Sequence, residues 1–288
     1  MGRRNANSPP AQRPCSLPAI PQNLSSMTEI GKTIQEIENV DLKSDDAIAI
    51  IQTLISTKLK RLPIFMTDLK IGEPLIRSRY LKDSEDFHRT IQDYSYHPEP
   101  EYIKIGRANL AGQQIFYGSR FRVTSLAEVR FVYANREKEF ARYSLGRWEV
   151  KQKLQMAAIV TPESIRKHNT KELFGLADFI EQTEKKTQND PELKGFIDLY
   201  KYLADKYTEP IREGEEYKYK ITAVFSNFFY SKLHIADGIL YQSVQYPENF
   251  NVALKKEVID NDKLQLTFAA RQKYIRTEAL NYREDESI

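Results

Sequence analysis

Strand patterns and amphipathic helix patterns follow one another along this chain without a regular alternation. Strands are predicted in RYSLGRWEV and KLQMAAIV, between residues 143 and 160, and in ILYQSV after the Asp237-Gly238 turn. A further strand is predicted where Leu264, Leu266 and Phe268 alternate with polar residues. A doubly wound sheet needs a helix between successive strands, and this order lacks that regularity. The sequence therefore predicts an α+β fold.

Three amphipathic helices are predicted between the strand regions, because apolar residues recur there at helical spacing. The second helix is expected to begin with Asp190 as N-cap and Pro191 in its first turn. The apolar stripes are Leu173, Leu176, Ala177 and Ile180 in the first helix, Leu193, Phe196, Ile197, Tyr200, Leu203 and Ala204 in the second, and Ile221, Val224, Phe225, Phe228 and Phe229 in the third. These stripes indicate core or partner-facing surfaces.

The first half of the chain carries weaker signals. A helix is predicted over 44–60 with Ser44 as N-cap, and a second one over 83–94. Short strands are predicted at YIKIG and QIFYG, residues 102–106 and 114–118, followed by a helix that starts near Ser125.

Charge and proline are concentrated at the start of the chain. Residues 1–26 contain Arg3, Arg4 and Arg13, no acidic residue, and five of the 13 prolines, which predicts a disordered leader, native or added, with Met27 as a plausible native start. Those three arginines account for the formal net charge of +3. The remaining body is neutral, which argues against a dedicated nucleic-acid binder. The YKYK cluster at 217–220 leaves local nucleic-acid contact as a weaker alternative.

The cysteine count and the first residues bear on location. The one cysteine, Cys15, excludes a disulfide within the chain, so a reducing, cytoplasmic location is expected. The residues after Arg4, NANSPPAQRP, do not resemble a signal peptide, and no apolar run has the length of a membrane span. We therefore expect no membrane partner.

Several common catalytic patterns are absent from the sequence. The four histidines form no HExxH or other close ligand pair, so no metal site is predicted. Neither a GxxxxGK[ST] phosphate-binding loop nor a GxSxG nucleophile elbow occurs.

The stretch GRANLAGQQIFYGSRFRVTSLAEV, residues 106–129, combines three glycines with Arg107, Tyr117 and Glu128. A turn, a strand and a helix start can bring these three side chains to one rim, and glycine allows a ligand to approach the backbone closely. Each residue also has a simpler interpretation. SLAE can be a capping box in which Ser125 and Glu128 only begin a helix, Tyr117 can pack in the core, and Arg107 can form a surface ion pair.

Two further segments belong with this stretch. YQSVQYP places Ser243 at the end of a predicted strand, where it can also be an ordinary hydroxyl, and IRSRYL offers Arg77, Arg79 and Tyr80 upstream. Together, GRANLAGQQIFYGS…SLAEV and YQSVQYPENFNVAL resemble the RES domain family, named for its Arg, Glu and Ser. The resemblance covers roughly residues 75–270 and is specific in 106–129 and 237–254.

A second GR pair tests the match. LGRWEV at 145–150 also resembles the arginine motif of the family. Ten residues after Arg147 lies Ala157, however, and twenty-one residues after it lies His168, where Tyr and Glu are required. Arg107 is therefore the better assignment.

The resemblance implies an ADP-ribosyltransferase-like fold with a split, mostly antiparallel sheet, flanking helices and an NAD cleft. On this basis we expect a helical extension at 27–70 and an NAD-binding domain at 71–288 with a helical insertion at about 162–210. It also implies an enzyme that consumes NAD as a substrate, either a glycohydrolase or phosphorylase or an ADP-ribosyltransferase. Many members are toxins paired with an Xre-type antitoxin, so such a protein or a macromolecular ADP-ribose acceptor is the expected partner.

The resemblance also implies roles for individual residues. Glu128 is expected to stabilise positive charge on the ribose as the nicotinamide bond breaks, with Arg107 and Ser243 as the other catalytic residues. Arg79 and Arg107 are expected to hold the pyrophosphate. The remaining NAD contacts are expected from Tyr80, Tyr117, Ser243 and Asn251. The alternative is an inactive scaffold of the same family that binds nucleotide or protein, with the 170–205 helices as its surface.

Overall fold

The computed structural model describes residues 28–59, 64–81, 90–133, 140–187, 189–232, 236–276 and 282–287. The helices in these ranges are α1 (Glu29–Glu38), α2 (Ala47–Lys58), α3 (Arg122–Tyr133), α4 (Pro162–Lys167), α5 (Phe174–Thr187), α6 (Pro191–Thr208), α7 (Tyr219–Lys232) and α8 (Lys256–Asp260). The strands are β1 (Phe65–Leu69), β2 (Pro74–Leu81), β3 (Ile115–Ser119), β4 (Phe140–Val150), β5 (Leu154–Ile159), β6 (Gly238–Gln242), β7 (Phe250–Lys255), β8 (Leu264–Arg276) and β9 (Tyr282–Ser287).

The strands form one sheet in the order β1-β5-β6-β7-β3-β2-β4-β8-β9. The β5–β6 pair is parallel, and the other pairs are antiparallel. Helices pack against this sheet without βαβ alternation. The predicted α+β fold with a mostly antiparallel sheet is therefore confirmed.

The sheet narrows in its middle, between β2 and β3. These strands share a single residue pair, Ile76 with Ser119, whereas β2 and β4 pair along their whole length from Pro74 to Leu81. Just beyond the shared pair, the Arg77 side chain spans the gap, and its Nη1 donates to the Tyr117 carbonyl oxygen at 3.1 Å. The sheet therefore opens on one side of this pair, and a side chain replaces the backbone ladder there.

Each face of the sheet carries its own apolar core. On one face α1, α2, α6 and α7 pack around Leu203, Phe225 and Ile239. On the other face α4, α5 and α8 pack around Trp148 and Met156. Full burial of an apolar side chain of this size stabilises the fold by about 1.5–3 kcal/mol, so two separate cores fix the sheet from both sides.

The segments with the strongest sequence patterns form the helices and strands predicted for them. The two strands at 143–160 are β4 and β5, the strand after Asp237 is β6, and the three amphipathic helices are α5, α6 and α7. The Asp190 carboxylate caps α6 by accepting from the backbone nitrogens of Glu192 and Leu193 at 3.0 and 3.1 Å. These predictions are confirmed.

Predictions of where elements begin were less accurate. Helix α2 begins at Ala47, three positions after the predicted cap, with Asp46 as the N-cap residue. Ser44 lies in the preceding turn, where its hydroxyl accepts from the Asp46 nitrogen at 3.3 Å. Helix α3 begins at Arg122, which places Ser125 inside the helix, where its hydroxyl donates to Ser78 Oγ at 2.9 Å. The capping-box interpretation of SLAE is therefore wrong. The local pattern placed Ser125 at a helix end, but its hydroxyl makes a tertiary hydrogen bond to Ser78.

Other differences lie in the first half of the chain. Residues 102–106 form no strand, because Pro100–Tyr102 is a 3-10 helix and Gly106 pairs with Asn109 across a tight turn. Helix α1 was not predicted, although Thr28 caps it through a bond from the Gly31 nitrogen at 3.0 Å. Of the helix predicted at 83–94, residues 83–89 lie outside the described part, and 91–94 form a 3-10 helix.

The strand predicted around Leu264 is β8, but its alternation stops early. Trp148 pairs with Leu266 and Arg147 pairs with Phe268, so Thr267 is an extra, bulged residue. Phe268 is consequently 54% exposed. A bulge shifts the side-chain alternation by one residue, which the sequence pattern did not show.

The predicted N-terminal extension and helical insertion pack against each other. Helix α1 of the extension contacts α6 of the insertion, and α2 contacts α7, which follows the insertion. The domain boundaries at residues 27–70 and 71–288 remain predictions. None of the helices in the described ranges combines the length and apolar character needed to span a bilayer.

Candidate active site

A cavity of about 290 Å³ lies where β2 and β3 separate, between helix α3 and the first turn of α7. Its lining includes Arg77, Arg107, Tyr117, Glu128, Tyr219 and Tyr241. This volume is at the lower end of the range for small-molecule pockets. The opening in the sheet therefore provides a pocket that combines two arginines, a carboxylate and three tyrosines.

Glu128 is held by one residue of β7 and by one residue that directly follows β6. Its Oε1 accepts from Ser243 Oγ at 2.6 Å and from Asn251 Nδ2 at 2.8 Å. In the described part of the chain, Oε2 makes no hydrogen bond. Two donors on one oxygen fix the carboxylate, and the second oxygen remains available to a ligand in the cavity.

The strand pairing explains how these residues meet. Strands β6 and β7 pair with Tyr241 opposite Asn251, so Ser243 follows directly at the same end of the sheet. The Ser243 hydroxyl also accepts from the Tyr246 nitrogen at 3.0 Å. A serine hydroxyl has a single proton to donate, and here that proton is directed at Glu128.

Helix α3, which carries Glu128, is tied to the sheet at two further points. Asn249 Nδ2 donates to the hydroxyl of the buried Thr124 at 2.9 Å. The bond between Ser125 and Ser78 ties the same turn of the helix to β2. These contacts fix the first turns of α3 and hence the position of Glu128.

Tyr117 organises the turn that contains Arg107. Its hydroxyl donates to Asn109 Oδ1 at 2.8 Å and accepts from the Ala108 nitrogen at 2.9 Å. A Cβ atom on Gly106 would lie 2.5 Å from the same Asn109 oxygen, so only glycine fits there. Burial raises the pKa of Tyr117 well above its ordinary value, which keeps the phenol protonated.

Arg107 connects the cavity to the C-terminal end of α6. Its Nη1 donates to the Lys206 carbonyl oxygen at 3.1 Å and its Nη2 to that of Glu209 at 2.9 Å. The Tyr219 ring centroid lies 5.3 Å from the guanidinium carbon, a distance typical of a cation–π contact. The carbonyls at a helix C-terminus carry partial negative charge, so the arginine stabilises the end of α6 while it lines the cavity.

The other predicted site residues lie in different places. Asn251 lines the cavity, and Ser243 reaches it through Glu128. Of the described residues that line the cavity, none is Arg79 or Tyr80. The Tyr80 ring instead packs edge-on against Tyr143, with centroids 5.7 Å apart.

Sequence reasoning gave no role to three cavity residues. Arg77 precedes Arg79 by two positions in the same strand, and it is the arginine that reaches the cavity. Tyr219 enters from the start of α7, and Tyr241 from β6. The sequence did contain a signal for Arg77 and Tyr241. Each stands two positions before a predicted site residue, Arg79 or Ser243, and residues two apart in a strand point to the same face. Tyr219 was noted only as part of the YKYK cluster at 217–220, for nucleic-acid contact, and nothing in the sequence linked it to this cavity.

A second, more open depression of about 620 Å³ lies at the other end of β3, beside Lys255, Lys256 and Lys263. It contains none of the predicted site residues. Within the described ranges, no group of three or more His, Cys, Asp or Glu side chains is placed to hold a metal ion. The cavity beside Glu128 is therefore the candidate active site.

The fold and the cavity define a class: an α+β protein with Arg, Tyr and a Ser-anchored Glu at an opening in a mostly antiparallel sheet. Comparison with protein families places it more narrowly, because the family model of the RES domain matches residues 79–272, more than half of the chain. The chain belongs to the RES domain family. The match includes Arg107, Glu128 and Ser243 and begins after α1 and α2. A search of curated proteins found no match.

Proposed function

We propose that this protein is an NAD-consuming enzyme that cleaves the bond between nicotinamide and ribose, with Glu128 as its catalytic carboxylate. The observation that carries the proposal is the two-point anchoring of Glu128 Oε1 by Ser243 and Asn251, which leaves Oε2 for the substrate. Membership of the RES domain family, which is linked to NAD-related activity, supports the same conclusion.

The chemistry follows from the charge that develops in the reaction. As the nicotinamide leaves, positive charge builds up on the ribose, as in glycoside hydrolysis. A fixed carboxylate beside that charge stabilises the transition state, and it needs no reorientation at the moment of reaction. Oε2 of Glu128 can also accept a hydrogen bond from a ribose hydroxyl. Nicotinamide leaves with the bonding electron pair, and a nucleophile then attacks the ribose carbon.

Ser243 and Asn251 act in this proposal as positioning residues. The hydroxyl of Ser243 donates to Glu128, so the direct contact with the nicotinamide ribose that was expected of Ser243 becomes an indirect one. Tyr117 supplies a wall of the cavity, because both of its hydroxyl bonds go to the Arg107 turn.

Two arginines line the cavity and suit the pyrophosphate of NAD, because guanidinium pairs with phosphate oxygens through paired donors. Arg107 keeps this role from the sequence analysis, and Arg77 takes the one expected of Arg79. A volume of about 290 Å³ matches one half of a dinucleotide better than the whole molecule. We place the nicotinamide riboside half beside Glu128 and the adenosine half toward the cavity mouth.

The acceptor of the ADP-ribose group distinguishes the reaction types. Water makes the enzyme a glycohydrolase, phosphate makes it a phosphorylase, and a group on a macromolecule makes it an ADP-ribosyltransferase. As its physiological role, we propose that the protein is a cytoplasmic toxin that consumes NAD and is paired with an Xre-type antitoxin.

The test is nicotinamide release from NAD by the full chain, with and without inorganic phosphate, beside Glu128→Gln. The substitution preserves size and removes the charge, so turnover should fall about 100-fold or more, while NAD binding measured by calorimetry persists. The exposed Glu101→Gln is the matched control and should behave like the wild type. Equal turnover by Glu128→Gln would refute the catalytic assignment. NAD binding without turnover in the wild type would favour the inactive scaffold instead.

A further inference from the structure

Tyr241 is a buried tyrosine whose hydroxyl finds no hydrogen-bond partner among the described residues. The residue lies on β6, is 5% exposed and lines the same cavity as Glu128. Its ring packs against Tyr207, with centroids 5.5 Å apart. Within the part of the chain that the structure describes, the Tyr241 hydroxyl makes no hydrogen bond.

Other buried tyrosines of this fold have partners. The Tyr207 hydroxyl donates to the Thr222 carbonyl oxygen at 3.2 Å and also contacts Ser226 Oγ. The Tyr200 hydroxyl accepts from the Val160 nitrogen at 3.1 Å. Buried tyrosine hydroxyls usually find a partner, because leaving such a group unpaired destabilises the fold. An unpaired hydroxyl at a cavity wall therefore points to a partner that enters the cavity.

The surroundings of Tyr241 indicate which part of the cavity it serves. It stands opposite Asn251 in the β6–β7 ladder, and Asn251 donates to Glu128 Oε1 at 2.8 Å. Burial raises the pKa of Tyr241, and the nearby Tyr117 and Glu128 raise it further. The phenol is therefore protonated at neutral pH and able to donate, close to the catalytic carboxylate.

We propose that the Tyr241 hydroxyl is a substrate-contacting group that hydrogen-bonds the nicotinamide riboside half of NAD beside Glu128. This inference rests on the proposed function. It follows from a buried tyrosine that lines the cavity and whose hydroxyl has no partner in the described ranges, from its place next to the Asn251–Glu128 pair, and from a cavity that fits one half of a dinucleotide. Tyr241 thereby helps to select a ligand with a polar group at this position.

The test compares Tyr241→Phe with wild type in the binding of carba-NAD, an analogue whose nicotinamide–ribose bond is not cleaved. The substitution removes the hydroxyl and keeps the ring. Losing one hydrogen bond to the ligand should raise Kd about 3- to 10-fold. The melting temperature without ligand should stay the same or rise, because the hydroxyl has no described partner in the protein.

Tyr207→Phe is the matched control. The Tyr207 ring is the neighbour of the Tyr241 ring, and its hydroxyl is hydrogen-bonded within the protein. Its melting temperature should fall, and its Kd for carba-NAD should match the wild type. ADP carries only the other half of the ligand, so its affinity should be the same for Tyr241→Phe and wild type. ADP that does not bind either protein would also agree, because the affinity then resides in the nicotinamide half.

Each contrary result has a distinct meaning. If Tyr241→Phe binds carba-NAD as tightly as the wild type, the inference is wrong and the proposed function stands. If it loses stability in the manner of Tyr207→Phe, its hydroxyl is structural. If Tyr241→Phe weakens the binding of ADP by the same factor, the assignment of the Tyr241 hydroxyl to the nicotinamide half is wrong. A wild type that binds no carba-NAD and releases no nicotinamide overturns the proposed function together with this inference.

Discussion

Ser243→Ala should separate the orientation of Glu128 from the binding of NAD. The Ser243 side chain is 1% exposed and does not line the cavity, and its hydroxyl provides one of the two bonds to Glu128 Oε1, at 2.6 Å. The other bond, from Asn251 at 2.8 Å, remains in the variant. The carboxylate then keeps one anchor of two and can rotate about it.

The size of the effect follows from the kind of bond. A hydrogen bond to a charged group contributes about 1.5–3 kcal/mol. If this contribution holds the carboxylate in its reactive orientation, kcat should fall about 10- to 100-fold. KM should change less than about threefold, because the serine makes no direct contact with the cavity. The half-buried Tyr246 nitrogen also loses its acceptor, so the free energy of unfolding should fall by about 1–3 kcal/mol.

The assay is the steady-state rate of nicotinamide release at varied NAD concentration, with thermal unfolding measured on the same samples. Ser164→Ala is the matched control, since Ser164 is a buried serine in α4 whose hydroxyl has no partner within the described ranges. It should leave kcat and KM unchanged. A folded Ser243→Ala with a kcat within twofold of wild type would refute the argument that two anchors are needed.

Further predictions concern the backbone at Gly238 and the side chain of Arg107. Gly238→Ala should destabilise the fold by about 1–3 kcal/mol in chemical denaturation, because its Cβ would lie 2.4 Å from the Ala253 carbonyl oxygen of the paired strand; an unchanged midpoint would contradict the expected clash. Gly175→Ala, where a Cβ meets nothing within 4 Å, is its control and should be neutral or slightly stabilising. Arg107→Lys should weaken NAD binding about 10-fold by calorimetry, since the three N–H groups of lysine cannot both replace the two bonds to the carbonyls at the end of α6 and present paired donors to phosphate. An affinity equal to wild type would show that charge alone suffices.

Most of the elements could be predicted because their patterns are local. The α6 stripe, its Asp190 cap and the strand runs of β4 and β5 depend on spacing within a few residues, and all of them formed as expected. Weak or interrupted patterns were less informative. The α3 start was misplaced because Ser125 bonds to Ser78, a residue far away in the sequence.

The resemblance in the sequence was sufficient to predict the family. It also favoured Arg107 over Arg147, and of these two residues Arg107 is the one that lines the cavity beside Glu128. The resemblance rests on residue types at fixed spacing within two short blocks. The sequence could not show which arginine of IRSRYL reaches the cavity. That depends on where β2 separates from β3, which is a property of the whole sheet.

The sequence by itself determined the α+β class, the main helices and strands, and membership of the RES domain family, because periodicity and motif spacing are written along the chain. Only the tertiary structure decided how the site is assembled. Glu128 lies on α3, Asn251 on β7 and Ser243 directly after β6, and Tyr219 and Tyr241 join them from two directions. Their meeting depends on strand register and helix packing between residues more than 100 positions apart, and no local pattern encodes such contacts.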